Sequence, residues 1–409
     1  MATPDPTPAE TDLPMIISVD DHILEPRDLW VTELPPSLRA RGPHVVRERA
    51  RLDFRGGRLL LERDVPEGQW CDIWCFDDLV MPTGLLHAPV GRPPEEQANL
   101  PAIYEDFRPG AYDQVARLAD MDANHVEASI NYPNTFPRFA GQGFAERADH
   151  DLGLAALQVY NDWMIDGWCG GAGRGRLIPL TLVPLWDATL AAAEVRRCAA
   201  KGSFAIAFTE NPAKLGFPSL HSGHWDPLWD ACSETETVVS MHIGSSSSMP
   251  TTSDDAPLAV SMSLNAQNAQ GSLCDWVFSR TLERFPTIRL AYAESQAGWM
   301  PFLLERMDAV WHEDVGGVEL AMPPSTYVKD RVFGCIFDDA HALRSRDEIG
   351  LEHLLFECDY PHANGTWPRT RSIAHRLCAD AGMGAAECDM LLRRNAISCY
   401  GLERFGIPA

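Results

Sequence analysis

Short apolar runs alternate along this chain with longer segments in which apolar residues recur every three or four positions. The short runs fall at residues 16–19, 126–130, 177–183, 204–208, 238–243, 288–293, 332–336 and 354–358. Each has the length of a strand buried on both faces. Helical spacing lies between them: Val115, Leu118 and Met121 within 113–122, then comparable patterns at 148–165, 189–200, 226–233, 272–284 and 301–311. Two more, at 373–377 and 388–394, close the chain. Repeated β-then-α units require right-handed crossovers and a parallel sheet. Eight of them predict an α/β fold of (β/α)8 TIM-barrel type, with its active site at the C-terminal strand ends. An open doubly wound sheet is the runner-up, but no strand is followed by the Gly-x-Gly-x-x-Gly of a nucleotide fold.

One stretch breaks the rhythm. Residues 31–110, rich in Pro and Arg, read as an insertion or cap after the first strand. Within it, Leu52-Asp53-Phe54 and Leu59-Leu60-Leu61 flank Arg55-Gly56-Gly57-Arg58, which predicts a hairpin. Residues 1–14, Pro-rich and acidic, predict a flexible tail, leaving 15–409 as a single barrel domain.

Composition narrows the class. With 45% hydrophobic and 22% charged residues the chain can bury a large core. A formal charge of −24 argues against nucleic acid, whose phosphates need a basic face. No apolar stretch approaches a membrane span, and the tail lacks the basic start and apolar core of a signal peptide. Eleven cysteines without a Cys-x-x-Cys pair read as reduced thiols in a cytoplasmic protein. The densest basic cluster is Arg39, Arg41, Arg47, Arg49 and Arg51. Solvated arginines on the cap are the expected reading, and contact with a diphosphate is the alternative. A symmetric homodimer is the default expectation for assembly.

The candidate chemistry gathers at strand ends. The first strand carries Asp20-Asp21-His22, and alternation puts Asp20 and His22 on one face with Asp21 on the other. The fifth ends in His242, followed by Gly244-Ser245-Ser246-Ser247-Ser248. The sixth ends at Glu294, and the eighth ends Glu357-Cys358-Asp359-Tyr360-Pro361-His362. Singly, each has a bland reading as a helix cap or a surface histidine. Together they place carboxylates and imidazoles, without thiolates, on the rim where a barrel works. That donor set suits iron, manganese or catalytic zinc. Asp20, His22, His242, Glu294 and Asp359, with Glu25 and His362 in reach, exceed the needs of one ion, so a two-metal centre is a natural expectation. The fourth strand ends Phe208-Thr209-Glu210, without a lysine, so no carbamylated lysine can bridge two ions.

These motifs resemble the amidohydrolase-related superfamily of metal-dependent TIM barrels, in its aminocarboxymuconate-semialdehyde-decarboxylase-like branch. The resemblance runs from Ile16 onward. It rests on Asp20-Asp21-His22-x-x-Glu25-Pro26 with Trp30, on His224-Trp225-Asp226-Pro227-Leu228-Trp229 and on Met241-His242-Ile243-Gly244-Ser245. Glu294-x-x-x-Gly298-Trp299 and Asp359-Tyr360-Pro361-His362 with Thr366-Trp367-Pro368 complete it. By motif position, Asp20 and His22 match the first-strand ligand pair, His242 the fifth-strand ligand and Asp359 the eighth. Two departures stand out: Asp20 where relatives carry His or Glu, and Glu294 where they carry His. Both add carboxylate. In this the chain resembles a divergent branch of TIM-barrel non-haem diiron monooxygenases, some acting in terpenoid natural-product biosynthesis.

Two readings follow from the resemblance. The oxidative one has two irons held by Asp20, His22, His242, Glu294, Asp359 and one or two of Glu25, His362 and Glu357. These would use O2 and an electron donor to hydroxylate a bulky hydrophobic, CoA-linked substrate. Trp70, Trp74, Phe136, Phe139, Trp299 and Trp367 could wall that substrate, or could be ordinary packing. The alternative is a hydrolase or non-oxidative decarboxylase with one Zn or Mn, using His242 and Asp359 beside a bound water and Asp359 as general base.

Overall fold

The structure is a computed structural model and describes residues 7–55, 58–97 and 100–409. In chain order its strands are β1 (Ile16–Ile23), β2 (His44–Arg55), β3 (Arg58–Arg63), β4 (Gln69–Phe76), β5 (Leu79–Pro82), β6 (Val126–Pro133), β7 (Leu177–Pro179) and β8 (Thr181–Leu182). They continue with β9 (Ala205–Phe208), β10 (Val238–His242), β11 (Leu290–Ala293), β12 (Val332–Ile336) and β13 (Leu354–Phe356). Two all-parallel ladders account for most of them, β1-β6-β7 and β8-β9-β10-β11-β12-β13. β7 and β8 are one strand interrupted at Leu180, which joins the ladders on one side.

The other side closes through the chemistry-bearing segments. Asp21 bridges Tyr360 in parallel, and Asp359 N–H donates to the Asp20 carbonyl at 2.8 Å. β1, β6, β7/β8, β9, β10, β11, β12 and β13 therefore form the eight-stranded (β/α)8 TIM barrel that the periodicity predicts. Every residue of β1, β9, β10, β11, β12 and β13 is buried. That explains why these strands read as unbroken apolar runs: a parallel sheet between an inner core and an outer ring of helices has no wet face.

The helices follow the predicted spacing with local corrections. Gln114–Ala123 is capped by Asp113, whose carboxylate accepts from Ala116 N–H, and Ala188–Ala200 is capped by Asp187. The helix expected over 272–284 is two helices, Gln267–Phe278 and Thr281–Arg284. Arg280 adopts φ 63° between them, a conformation that no α-helix continues through.

Between β1 and β6 the insertion forms an antiparallel sheet ordered β3-β2-β4-β5. The expected hairpin is present as the β2–β3 pair, with Arg55 opposite Arg58; Gly56 and Gly57 lie outside the described residues. Residues 10–13 do not hang free as the tail reading implies. Glu10–Asp12 make a helical turn, Arg371 Nε donates to the Glu10 carbonyl, and Leu13 is buried.

Candidate metal centre

Asp20, His22 and His242 converge at the centre of the C-terminal rim. His22 Nε2 lies 3.2 Å from Asp20 Oδ1 and 3.1 Å from His242 Nε2, and His242 Nε2 lies 3.3 Å from Asp20 Oδ2. Asp359 adds Oδ1 at 3.6 Å from His22 Nε2. All four side chains are buried. Neighbouring backbone sets the imidazoles' tautomers. His22 Nδ1 donates to the Pro133 carbonyl at 2.9 Å, and His242 Nδ1 donates to that of Ile243 at 2.6 Å. A carbonyl can only accept, so each Nδ1 carries hydrogen and each Nε2 is the nitrogen turned into the cluster, where an ion would take the place of any proton it holds.

These groups fit a divalent cation. Both Asp20 oxygens and Asp359 Oδ2 are buried without a hydrogen-bond partner among the described residues. Such orphans are costly unless a ligand satisfies them. The electrostatics agree. Burial alone would raise the Asp20 carboxyl, yet the facing His242 and His22 hold it well below the usual carboxylate range. Burial opposes charging His242, but Asp20 and Glu294 raise it to about 9. A positive charge is wanted between them.

Two further expected ligands stand close by. His362 Nδ1 sits 2.7 Å from Asp359 Oδ1 and its ring 4.1 Å from that of His22. Glu294 Oε2 is 3.8 Å from His242 Nε2. His22, Asp359 and His362 thus make a second group of metal-ligand type, sharing His22 with the first. Glu294 and Asp359 both hold left-handed backbones, φ 55° and 52°. Non-glycine residues adopt this at a cost of about 1–2 kcal/mol each. Glu357 supports one of them: its two oxygens accept from Glu294 N–H at 3.2 and 3.1 Å. Glu357 is therefore a brace under the rim.

Glu25 requires a correction. Its carboxylate accepts from Asn134 N–H at 2.8 Å, from Thr135 N–H at 3.2 Å and from the Thr135 hydroxyl. Those bonds occupy both oxygens and pin the loop after β6, so Glu25 stands outside the ligand groups. Asp21 faces away from the cluster as alternation requires and accepts from Ser18 Oγ and Tyr360 N–H.

The aromatic wall is also narrower than expected. Phe139 stacks on His242, with ring centroids 4.0 Å apart. Trp74 and Phe136 instead pack with Trp30 and Phe144 in the core, Trp70 is exposed under Arg49, and Trp367 lies beneath Arg108. Trp299 donates its ring N–H to the Ser295 carbonyl. Sequence reasoning missed Tyr132, 5.5 Å from His242 by ring centroid, because an aromatic at a strand end carries no periodic signal. It also missed the role of Glu210. This buried carboxylate accepts from Gly244 N–H, Ser246 Oγ and Asn268 Nδ2, and so anchors the loop that follows His242.

The cap arginines are paired within the protein. Arg41 meets Asp149, Arg47 meets Asp72 and Glu105, Arg51 meets Glu62, and Arg39 and Arg49 donate to backbone carbonyls. All eleven cysteines are free thiols, and no helix among the described residues is long and apolar enough to cross a membrane.

A closed parallel barrel with a His/carboxylate cluster on its C-terminal rim defines a metal-dependent TIM-barrel enzyme. A family model described as Amidohydrolase matches residues 86–402, and the chain belongs to that family. No curated protein matches by sequence. Among solved structures, an amidohydrolase from Mycobacterium avium subsp. paratuberculosis superposes with a TM-score of 0.66 at 19% identity, over 95% of this chain and 99% of that one. The 2,6-dihydroxybenzoate decarboxylase from Rhizobium gives 0.59 at 15% identity, over 96% and 100%. A dihydroxybenzoic acid decarboxylase from Polaromonas sp. JS666, solved with bound manganese and the inhibitor 2-nitroresorcinol, gives 0.58 at 14%, over 96% and 98%.

Proposed function

We propose that the chain is a non-oxidative enzyme, a decarboxylase or hydrolase, working with one divalent ion held by Asp20, His22, His242 and Asp359. The observation that carries this is the convergence of two tautomer-fixed Nε2 atoms on an Asp20 carboxylate with no other partner. Manganese and zinc both accept such a donor set. The decarboxylase neighbours, one of them with manganese, favour an aromatic carboxylate as substrate. Bound there, the ion would polarise a substrate carboxylate or lower the pKa of a water.

The protein's own groups supply the rest. Asp359, oriented by His362 through Oδ1, is the carboxylate beside that ion best placed to take or return a proton. Phe139 and Tyr132 cover His242 and keep the site dry, which strengthens every charge interaction within it.

A second reading is carried by His362 and Glu294, which the four-residue site does not need. With both as ligands, the two groups sharing His22 could hold two irons and use O2, with an external electron donor, on a hydrophobic substrate. Of the cap arginines, Arg41, Arg47 and Arg51 already face carboxylates of this chain, which disfavours them as partners of a CoA diphosphate in that scheme. Metal analysis after separate reconstitution with manganese, zinc and iron, followed by assays for CO2 release from hydroxybenzoates and for O2 uptake, tests the proposal. One ion per chain with turnover in the absence of O2 is expected. Two irons with substrate-dependent O2 consumption would replace it by the second reading.

A further inference from the structure

A cavity of about 490 Å3 lies between the loop after β12 and the loop after β13. Phe337 and Asp338 form one wall, Asn364 another, and Arg369, Ser372 and Arg376 the third. Asn364 ties it to the metal centre, because its Nδ2 donates to Glu294 Oε1 at 3.3 Å.

The charge of this cavity runs against that of the protein. Arg376 meets Asp338 only at 3.9 Å, with side chains 55% and 65% exposed, a separation worth little in water. The Arg369 guanidinium has no hydrogen bond or ion pair among the described residues. Two cations against one carboxylate make the lining itself positive in a chain of net charge −24, with the Glu294 carboxylate behind Asn364. A local cluster is what such a chain needs to hold an anion near its active site. The helix Thr370–Asp380 also begins at the cavity, which adds the partial positive charge of its first turn. In TIM barrels this position, between the loops after the seventh and eighth strands, is a recurrent place for binding phosphate.

We propose that this cavity is an anion subsite that takes a phosphate or carboxylate end of the substrate on Arg369 and Arg376. Asn364 places that subsite next to the reacting centre. The reacting carbon then faces Asp20, His22, His242 and Asp359. Only this placement rests on the reading of the cluster as the active site; the anion subsite does not.

Calorimetric titration of the full chain with inorganic phosphate, pyrophosphate and acetate, before and after chelation of metal, tests it. Saturable binding that survives chelation is expected, and the ranking of the three anions shows whether phosphate or carboxylate is preferred. Arg369→Gln and Arg376→Gln should each weaken binding by about tenfold, the loss of one charge-assisted contact. Arg369→Lys, which keeps the charge, should recover part of it. Arg306→Gln, the same charge removed from the exposed face of the helix Met300–His312, should change nothing. Absence of saturable binding, binding lost on chelation, or an equal loss in Arg306→Gln would overturn the subsite. Metal content, measured separately, keeps the two readings apart. Normal metal without anion binding removes only the subsite. Arg369-dependent binding in a chain that takes up no metal removes the active-site reading instead.

Discussion

The Nε2 atoms of His22 and His242 face each other at 3.1 Å, although the two residues stand 220 positions apart in the chain. Both Nδ1 atoms donate to backbone carbonyls, so a cation between the two Nε2 atoms would satisfy both rings at once. Asp20 lies on the same point with both oxygens unpartnered. Replacing either histidine by Ala should therefore lower metal affinity by more than the roughly 10- to 100-fold that follows loss of an outer partner. Equilibrium dialysis against the metal reads this directly. Unchanged affinity in both variants would remove the pair from the ligand set.

Glu210 supports His242 from the loop after β9. Its Oε1 accepts from Gly244 N–H at 3.2 Å, Ser246 Oγ at 2.8 Å and Asn268 Nδ2 at 2.8 Å. Glu210→Ala should release the loop after β10 and weaken metal binding by about 10-fold, in the range of outer-partner losses. The fold should survive, because the strand ladder beneath does not use this side chain. Metal titration alongside far-UV circular dichroism separates the two effects.

Glu25 is expected to act through stability alone. Glu25→Gln puts an amide where two backbone N–H groups need an acceptor, so part of that network is left unmade in a buried site. A loss of about 1–3 kcal/mol should follow, with metal stoichiometry unchanged. Urea unfolding and metal analysis on the same preparation check both halves. Loss of an ion from Glu25→Gln would restore it to the ligand set.

Glu194 gives the acid limb of stability a specific residue. Burial raises its carboxyl, but Arg197 and the amides of Asn161 and Gln158 hold it below its ordinary value. A folded value below the unfolded one means that the unfolded chain binds the extra proton. The stabilisation is therefore complete above the ordinary carboxylate value of about 4.3 and is lost as pH falls below it. The wild-type urea midpoint should fall across that window more steeply than that of Glu194→Gln. Parallel curves would show that the Arg197 contact contributes nothing measurable.

The barrel is legible in the amino-acid sequence itself. Eight apolar runs with helical spacing between them specify a parallel barrel, because strands buried on both faces cannot alternate. Asp20, His22, His242 and Asp359 are legible for the same reason: they sit on or just after strand ends, where alternation and the breaking of the apolar run mark position. Glu25 misleads because its direction depends on the loop after β6, 109 residues away, whose N–H groups claim it. The cap reveals only its β2–β3 hairpin. β4 buries Asp72 in mid-strand against Arg47, and that charge pair interrupts the apolar pattern by which a strand is recognised. Phe139 is legible only as one of several aromatics, whereas Tyr132 and Glu210 act from strand ends through contacts for which no periodic signal exists.

Glu294 decides between one ion and two. Its carboxylate reaches within 3.8 Å of His242 Nε2, yet Oε1 also accepts from Asn364, and the backbone is held left-handed by Glu357. Asp20, His22, His242 and Asp359 form a complete four-residue set without it. Glu294→Ala should accordingly retain one ion per chain, at an affinity within about tenfold of wild type, as expected for loss of an outer partner. Its effect should fall on turnover, since the negative charge beside Asp359 disappears. Metal content by mass spectrometry and kcat against KM with a hydroxybenzoate give the result. If wild type holds two ions and Glu294→Ala holds one, Glu294 is a ligand to a second metal, and the oxygen-dependent reading takes the place of the non-oxidative one.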